Sequence, residues 1–343
     1  MEHFRFSLIF SIVALACAAW WGYSGGGISL AISMIWLALI LAVMEVSLSF
    51  DNAVVNASIL KNWDKYWRTL FLTVGMLVAV FGMRLLFPLV IVAQTADMGI
   101  LEVWTLAIHA PEEYSLKLTS HHAEVSAFGS MFLMLVFLNF LLDEEKELHW
   151  LGKVEQQLGL LGKINAISIF IALSALMAAL TLVDDVNKLV VLTSGIWGIL
   201  IYTGVDLIGK ILETEEQSLD VGDLIKKGSI GGFLYLEVLD ASFSFDGVIG
   251  AFAITKDIVV IMIGLGIGAM FVRSLTIYLV EKGTLGEYVF LEHGAHYAIG
   301  ALSIIMLLSI KFHIPEVVTG FIGIAFIVIS MYSSVKYNRF KSE

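Results

Sequence analysis

The chain holds 343 residues, 59% of them hydrophobic, with 31 acidic and 20 basic side chains and a formal net charge of −11. Soluble domains carry about 45–50% apolar residues; here the mean hydropathy is +0.90 and the excess falls in runs of about twenty residues, the length that crosses a bilayer core. One cysteine, Cys17, excludes an intramolecular disulfide and a thiolate metal cluster. No basic stripe of the kind that binds nucleic acid is present.

Hydropathy places ten predicted spans at residues 6–23, 28–60, 69–93, 122–142, 163–183, 187–212, 228–255, 257–281, 286–310 and 315–336. The first follows a single Arg5 and contains Ala-x-Ala triplets, features shared with cleavable signals; it is read as a span. The loop 94–121, with His109, Glu112 and Glu113, is long enough to fold back as a lid or re-entrant piece. The charged blocks 143–155 and 213–223 read as solvated cytoplasmic linkers. With ten spans, fourteen Lys and Arg fall on the side of the termini and four on the other. By the positive-inside rule both termini are cytoplasmic, in the cell (inner) membrane.

The second span carries Ser47-Leu48-Ser49-Phe50-Asp51 and the seventh Ser242-Phe243-Ser244-Phe245-Asp246. Aligning 41–51 with 236–246 sets Glu45 against Asp240. The match extends further: Arg84 lies nine residues after Gly75, and Arg273 nine after Gly264, each in the span after its motif. The repeat unit is five helices, with pseudo-repeats 6–183 and 187–336 in a single membrane domain. Five is odd, so the second copy crosses in the opposite sense, the inverted-repeat plan of many secondary transporters.

At a span centre an Asp costs roughly 2.5–3.5 kcal/mol, and five acids are placed there: Glu45, Asp51, Glu237, Asp240 and Asp246. Residues six apart on a regular helix stand about 120° apart, so Glu45 with Asp51, or Asp240 with Asp246, converge only if the Ser-x-Ser-Phe-Asp stretch is locally unwound. Carboxylates with hydroxyls (Ser47, Ser49, Ser242, Ser244), the Asn52 amide and freed carbonyls suit a hard divalent cation such as Mn2+, Mg2+ or Ca2+. The plain alternative is that the acids pair with Arg84 and Arg273 as structural salt bridges; two arginines do not neutralise five acids.

Glu292, His293 and His296 open the ninth span, and His121, His122 and Glu124 the fourth. They read as amphipathic helix ends at the interface, with metal or proton-relay vestibules as the functional alternative. Gly264-x-Gly266-x-Gly268 reads as close helix packing. The sequon Asn56-Ala57-Ser58 is expected to be buried.

Through Glu45-x-Ser47-x-Ser49-Phe50-Asp51-Asn52-Ala53 and its echo Asp240-x-Ser242-x-Ser244-Phe245-Asp246-Gly247-Val248, the chain resembles the TerC-type integral membrane protein family, and most of all the branch catalogued as a domain of unknown function. The resemblance covers most of spans two to four and seven to nine. It implies manganese export, with Glu45, Asp51, Asp240 and Asp246 as ion ligands. Other relatives are linked to tellurite tolerance or to assembly of membrane complexes, and the extra spans here depart from the shorter members.

The resulting expectation is an all-helical, non-enzymatic transporter that exports Mn2+ or a similar hard cation, with proton antiport as the simplest coupling and no resident cofactor. The rivals are a non-transporting scaffold whose acids are structural, and an intramembrane enzyme using paired aspartates as acid and base.

Overall fold

The computed structural model describes residues 2–144, 146–164, 166–212, 228–282, 287–312 and 314–342, without a few helical side chains that include Phe245 and Asp246. The block 213–223, expected to be a solvated linker, lies outside the described residues. Within them the secondary structure is entirely helical. Among the described residues six stretches are long and apolar enough to cross a membrane, against the ten spans expected. They lie in α1 (Arg5–Leu48), α7 (His122–Leu141), α10 (Asp185–Leu212), α12 (Ile258–Lys282), α13 (Leu291–Ser309) and α14 (Glu316–Ser342). Helix α11 (Ile230–Ile254) matches them in length at 25 residues but carries Glu237, Asp240 and Asp246.

α1 comprises two arms joined at Gly26 and Gly27, and Gly27 adopts φ 75°, ψ −159°, a region open at little cost only to glycine. The arms pass at backbone contact: a Cβ on Gly22 would lie 2.7 Å from the Ala31 Cα. Both arms pack on α12. In the first, the Ser7 hydroxyl donates to the Met270 carbonyl at 2.6 Å. In the second, Leu41 and Glu45 lie over Gly264 and Gly268, where added Cβ atoms would each approach a side-chain Cβ to 2.5 Å. The Gly264-x-Gly266-x-Gly268 run therefore brings two helices close, as its small-residue pattern predicts.

After α1 the chain kinks at Ser49 into α2 (Phe50–Leu60). The third predicted span is one helical path: α3 (Lys65–Leu70), π-helical turns over Phe71–Gly75 and Val78–Leu86, then α4 (Phe87–Thr95). Pro88 follows the second π-turn, where wide turns leave backbone groups out of α-helical register and tolerate its missing N–H. The loop 94–121 folds as α5 (Ile100–His109) and α6 (Pro111–Ser120), and Val103, Ala107, Tyr114 and Leu118 join a core with Leu89, Val92 and Phe252. It is a packed cap. After the short α8 (Lys153–Gly159), the fifth predicted span, 163–183, holds only the 14-residue α9 (Ile167–Leu180), about 21 Å of helix against a core of about 30 Å.

Two apolar cores organise the bundle. One joins α2, α7, α10 and α13, the other α1, α4 to α6 and α12, and α11 contributes to both through Leu236 and Leu239 on one side and Val248, Ala251 and Phe252 on the other. This places the second motif at the seam.

Candidate cation site

Depth follows from helix rise. Asp51 lies nine residues before the Leu60 end of α2, and Asp240 ten after the Ile230 start of α11, so each is about 15 Å of helix from the same end of the bundle. That is close to the middle of a bilayer core.

The first motif is kinked. Ser49 has φ −100°, ψ 15°, yet its N–H donates to the Glu45 carbonyl (2.9 Å) and its carbonyl accepts from the Ala53 N–H (3.1 Å). The kink is one residue wide, less than the unwinding expected. Asp51 thereby enters the first turn of α2, where free backbone N–H groups and the helix dipole favour a carboxylate; its Oδ1 accepts from the Asn52 N–H at 2.9 Å. The second motif runs inside the unbroken α11, contrary to the expectation of a matching break.

Glu45, 1% exposed, accepts from Arg84 Nη2 at 2.5 Å and from Ser49 Oγ at 2.8 Å, both on Oε1. Asp240 is held by amides from the other half of the chain: its Oδ1 accepts from Asn52 Nδ2 at 2.7 Å and Asn56 Nδ2 at 2.9 Å. Asn52 and Asn56 share a helix face at i, i+4. The two motifs touch through glycine, since a Cβ on Gly247 would lie 3.1 Å from Glu45 Oε2. Glu237 points at Gly75, where a Cβ would collide with its Oε1.

Among the described residues several buried acceptors have no hydrogen-bond partner: both carboxylate oxygens of Glu237, and the side-chain carbonyls of Asn52 and Asn56. The Ser244 hydroxyl is also buried without one. Asp51 instead lines a cavity of about 50 Å³ together with His122, Gly247, Ser309 and Thr319.

The acids do not gather into a single cage. Among the described residues no group of three His, Cys, Asp or Glu is placed to hold a metal ion. A one-residue kink leaves most of the 120° offset between Glu45 and Asp51 in place, so Glu45 turns to Arg84 and Asp51 to the cavity. The side chain of Asp246 lies outside the described residues. Ser47 and Ser242 donate to Val43 and Val238 carbonyls one turn back, which removes their protons from any shared site. Arg273 does not repeat the role of Arg84: its Nε donates to the Leu72 carbonyl at 2.6 Å, within the π-helical turn, and its guanidinium lies over the Phe6 ring.

The histidines at the start of α13 are buried within the bundle. His293 Nε2 lies 2.9 Å from the Leu148 carbonyl and 3.5 Å from Glu155 Oε1, and His296 stacks on Phe140 at 3.9 Å. Glu292 pairs with Lys61 at 3.3 Å. The block 143–155 is mostly exposed, as read, but Glu155 within it turns in against His293: it is 0% exposed and 2.5 Å from Lys146 Nζ. Burial alone raises the Glu155 carboxyl; hydrogen bonds from Lys146 and the Leu151 N–H, with the charges of Lys146 and His293, outweigh it and hold the group below its ordinary value. Lys146 and Glu155 escaped sequence reading because a charge run is ordinarily solvated; flanking Trp150 and Leu151 were the available signal. At the far end of the bundle, His121 meets Glu124 at 2.8 Å and His122 lies 3.3 Å from Ser126 Oγ.

Long apolar helices enclosing midplane carboxylates and amides define a multi-pass helical membrane protein. Within that class the chain belongs to the family described as "Protein of unknown function (DUF475)", whose model matches residues 50–341. No curated protein and no solved structure matches the chain.

Proposed function

We propose that this protein carries a hard divalent cation across the membrane, with Mn2+ export favoured by the TerC-like motif, from a site between two inverted halves of a ten-span bundle. The observation that carries the reading is the set of orphaned acceptors around Asp240. Each buried acceptor left without a partner costs about 1–3 kcal/mol, and the Glu237 carboxylate and the Asn52 and Asn56 carbonyls are each oxygen donors of the kind hard cations take. Asp51 supplies further charge beside it, and Asp246 is the matching acid of the second motif. Protonation of the carboxylates releases the ion, since metal and proton compete for the same oxygens, so proton antiport is the simplest coupling. Cross-packing of the halves supports the repeat: the span after the first motif meets Glu237 at Gly75, and the span after the second meets Leu41 at Gly264.

The test is Mn2+ flux into proteoliposomes at several pH values. Asp51→Asn and Asp246→Asn are expected to abolish flux while inserting normally; unchanged rates in both would sink the transport reading. A second reading, a non-transporting assembly scaffold, draws on the Arg84–Glu45 pair, which already satisfies one acid. It expects stoichiometric membrane-protein partners on pull-down and unaltered cellular metal content on deletion.

A further inference from the structure

The two ends of the bundle are built differently. At one end, where α2 and α7 finish and α13 starts, Lys61 pairs with Glu292 and the segment 146–155 is clamped by Lys146, Glu155 and His293. Gly159 and Gly162 let the following turn press on the end of α7: a Cβ on Gly159 would lie 3.2 Å from the Asp143 carbonyl, and one on Gly162 would collide with that of Leu142. At the other end, the start of α7, the finish of α13 and the start of α14 leave the cavity that reaches Asp51, with His122, Ser309 and Thr319 on its wall and Ile305 beside them. A cavity needs only about 10–15 Å³ per first water and two to four polar partners to be wet, and this one offers a carboxylate, an imidazole and two hydroxyls within about 50 Å³.

We infer that this cavity is the aqueous approach of a small hydrated cation to Asp51, open toward the face of His122, Ser309 and Thr319, while the Lys61–Glu292 and Lys146–Glu155–His293 contacts seal the opposite face. The solute rests on the transport reading; the sidedness of access stands without it. By the Lys and Arg distribution the open face is the external one. The chain is therefore in the conformation that faces away from its termini, and a conformation facing the other way requires both ion-pair contacts to part.

The single cysteine makes the test clean. In a Cys17→Ser background, Thr319→Cys, Ile305→Cys and Val154→Cys are each exposed to a membrane-impermeant cationic thiol reagent, in sealed vesicles of both orientations. Thr319→Cys and Ile305→Cys are expected to react at least tenfold faster from one side, and Val154→Cys from the other. Reaction of Ile305→Cys from the Val154 side, or no reaction at Ile305→Cys from either side, overturns the assignment. Adding Lys61→Gln with Glu155→Gln is expected to make Ile305→Cys reactive from both sides; continued one-sided reaction removes the seal from those contacts. Mn2+ is the probe for the solute: if sidedness holds but millimolar Mn2+ does not slow labelling of Ile305→Cys, the vestibule survives and the cation reading fails.

Discussion

The two copies of the acidic motif share their letters and differ in almost every contact. In the first, a kink at Ser49 separates Glu45, paired with Arg84, from Asp51, which turns to a cavity. In the second, an unbroken helix presents Asp240 to two amides from the opposite half. The repeated letters therefore do not fix a role, and the neighbours decide what each carboxylate does. The matched arginines teach the same thing: Arg84 neutralises an acid, while Arg273 caps a carbonyl in a π-helical turn.

The largest way to break this comparison is through the arginines. Removing one member of a buried ion pair costs about 3–5 kcal/mol, whereas replacing both with apolar groups is often neutral. Arg84→Met is expected to destabilise by that amount, with Glu45→Met restoring most of it, and Arg273→Met by clearly less. Denaturant titrations in detergent micelles measure all three, and equal losses at Arg84 and Arg273 would restore the symmetric picture.

A smaller effect separates the glycines that let the motifs approach. Gly268→Ala pushes a methyl into the Glu45 side chain and the Ala42 carbonyl, an overpacking worth about 1–3 kcal/mol. Gly247→Ala meets, among the described residues, one carboxylate oxygen at 3.1 Å and should cost less in the same titration.

Outside the membrane-spanning helices, the Glu155 clamp supplies a contrast in pH. Its carboxyl is lowered in the folded state, so its contribution is full above the ordinary unfolded value of about 4.3 and is lost as pH falls through the folded one. Glu155→Gln is expected to remove that acid-side dependence, read as hydrogen exchange of residues 146–159 between about pH 3 and 6, while leaving exchange near Asp51 unchanged. Smallest of all is Ser47→Ala, expected to shift stability by less than about 0.5 kcal/mol, because its hydroxyl is exposed and bonds only within its own helix.

The all-helical, multi-pass class was legible from apolar run length, because a membrane segment must satisfy its own backbone and advertises itself by composition; the count was not, since six stretches among the described residues have the length and composition to cross where ten spans were expected. The cross-packing glycines and the burial of Asn56 were equally readable. Short elements were not: α9 is shorter than its apolar run, and the loop 94–121 forms two packed helices because Tyr114 and Leu118 find an apolar partner in Phe252. At the site, sequence located the acids and missed their division of labour. Nothing in the spacing says that Asn52 and Asn56 reach across to Asp240, or that Lys146 and Glu155 leave solvent for the start of α13.

The sequence by itself determined an all-helical chain with helices of membrane-crossing length and an acidic motif written twice within it, because hydropathy and helix rise act locally along the chain. Only the tertiary structure decided which carboxylate met an arginine, which met amides and which faced a cavity. Those partners come from helices distant in sequence, and burial in a low-dielectric interior makes the choice of partner, not the identity of the acid, set its energy.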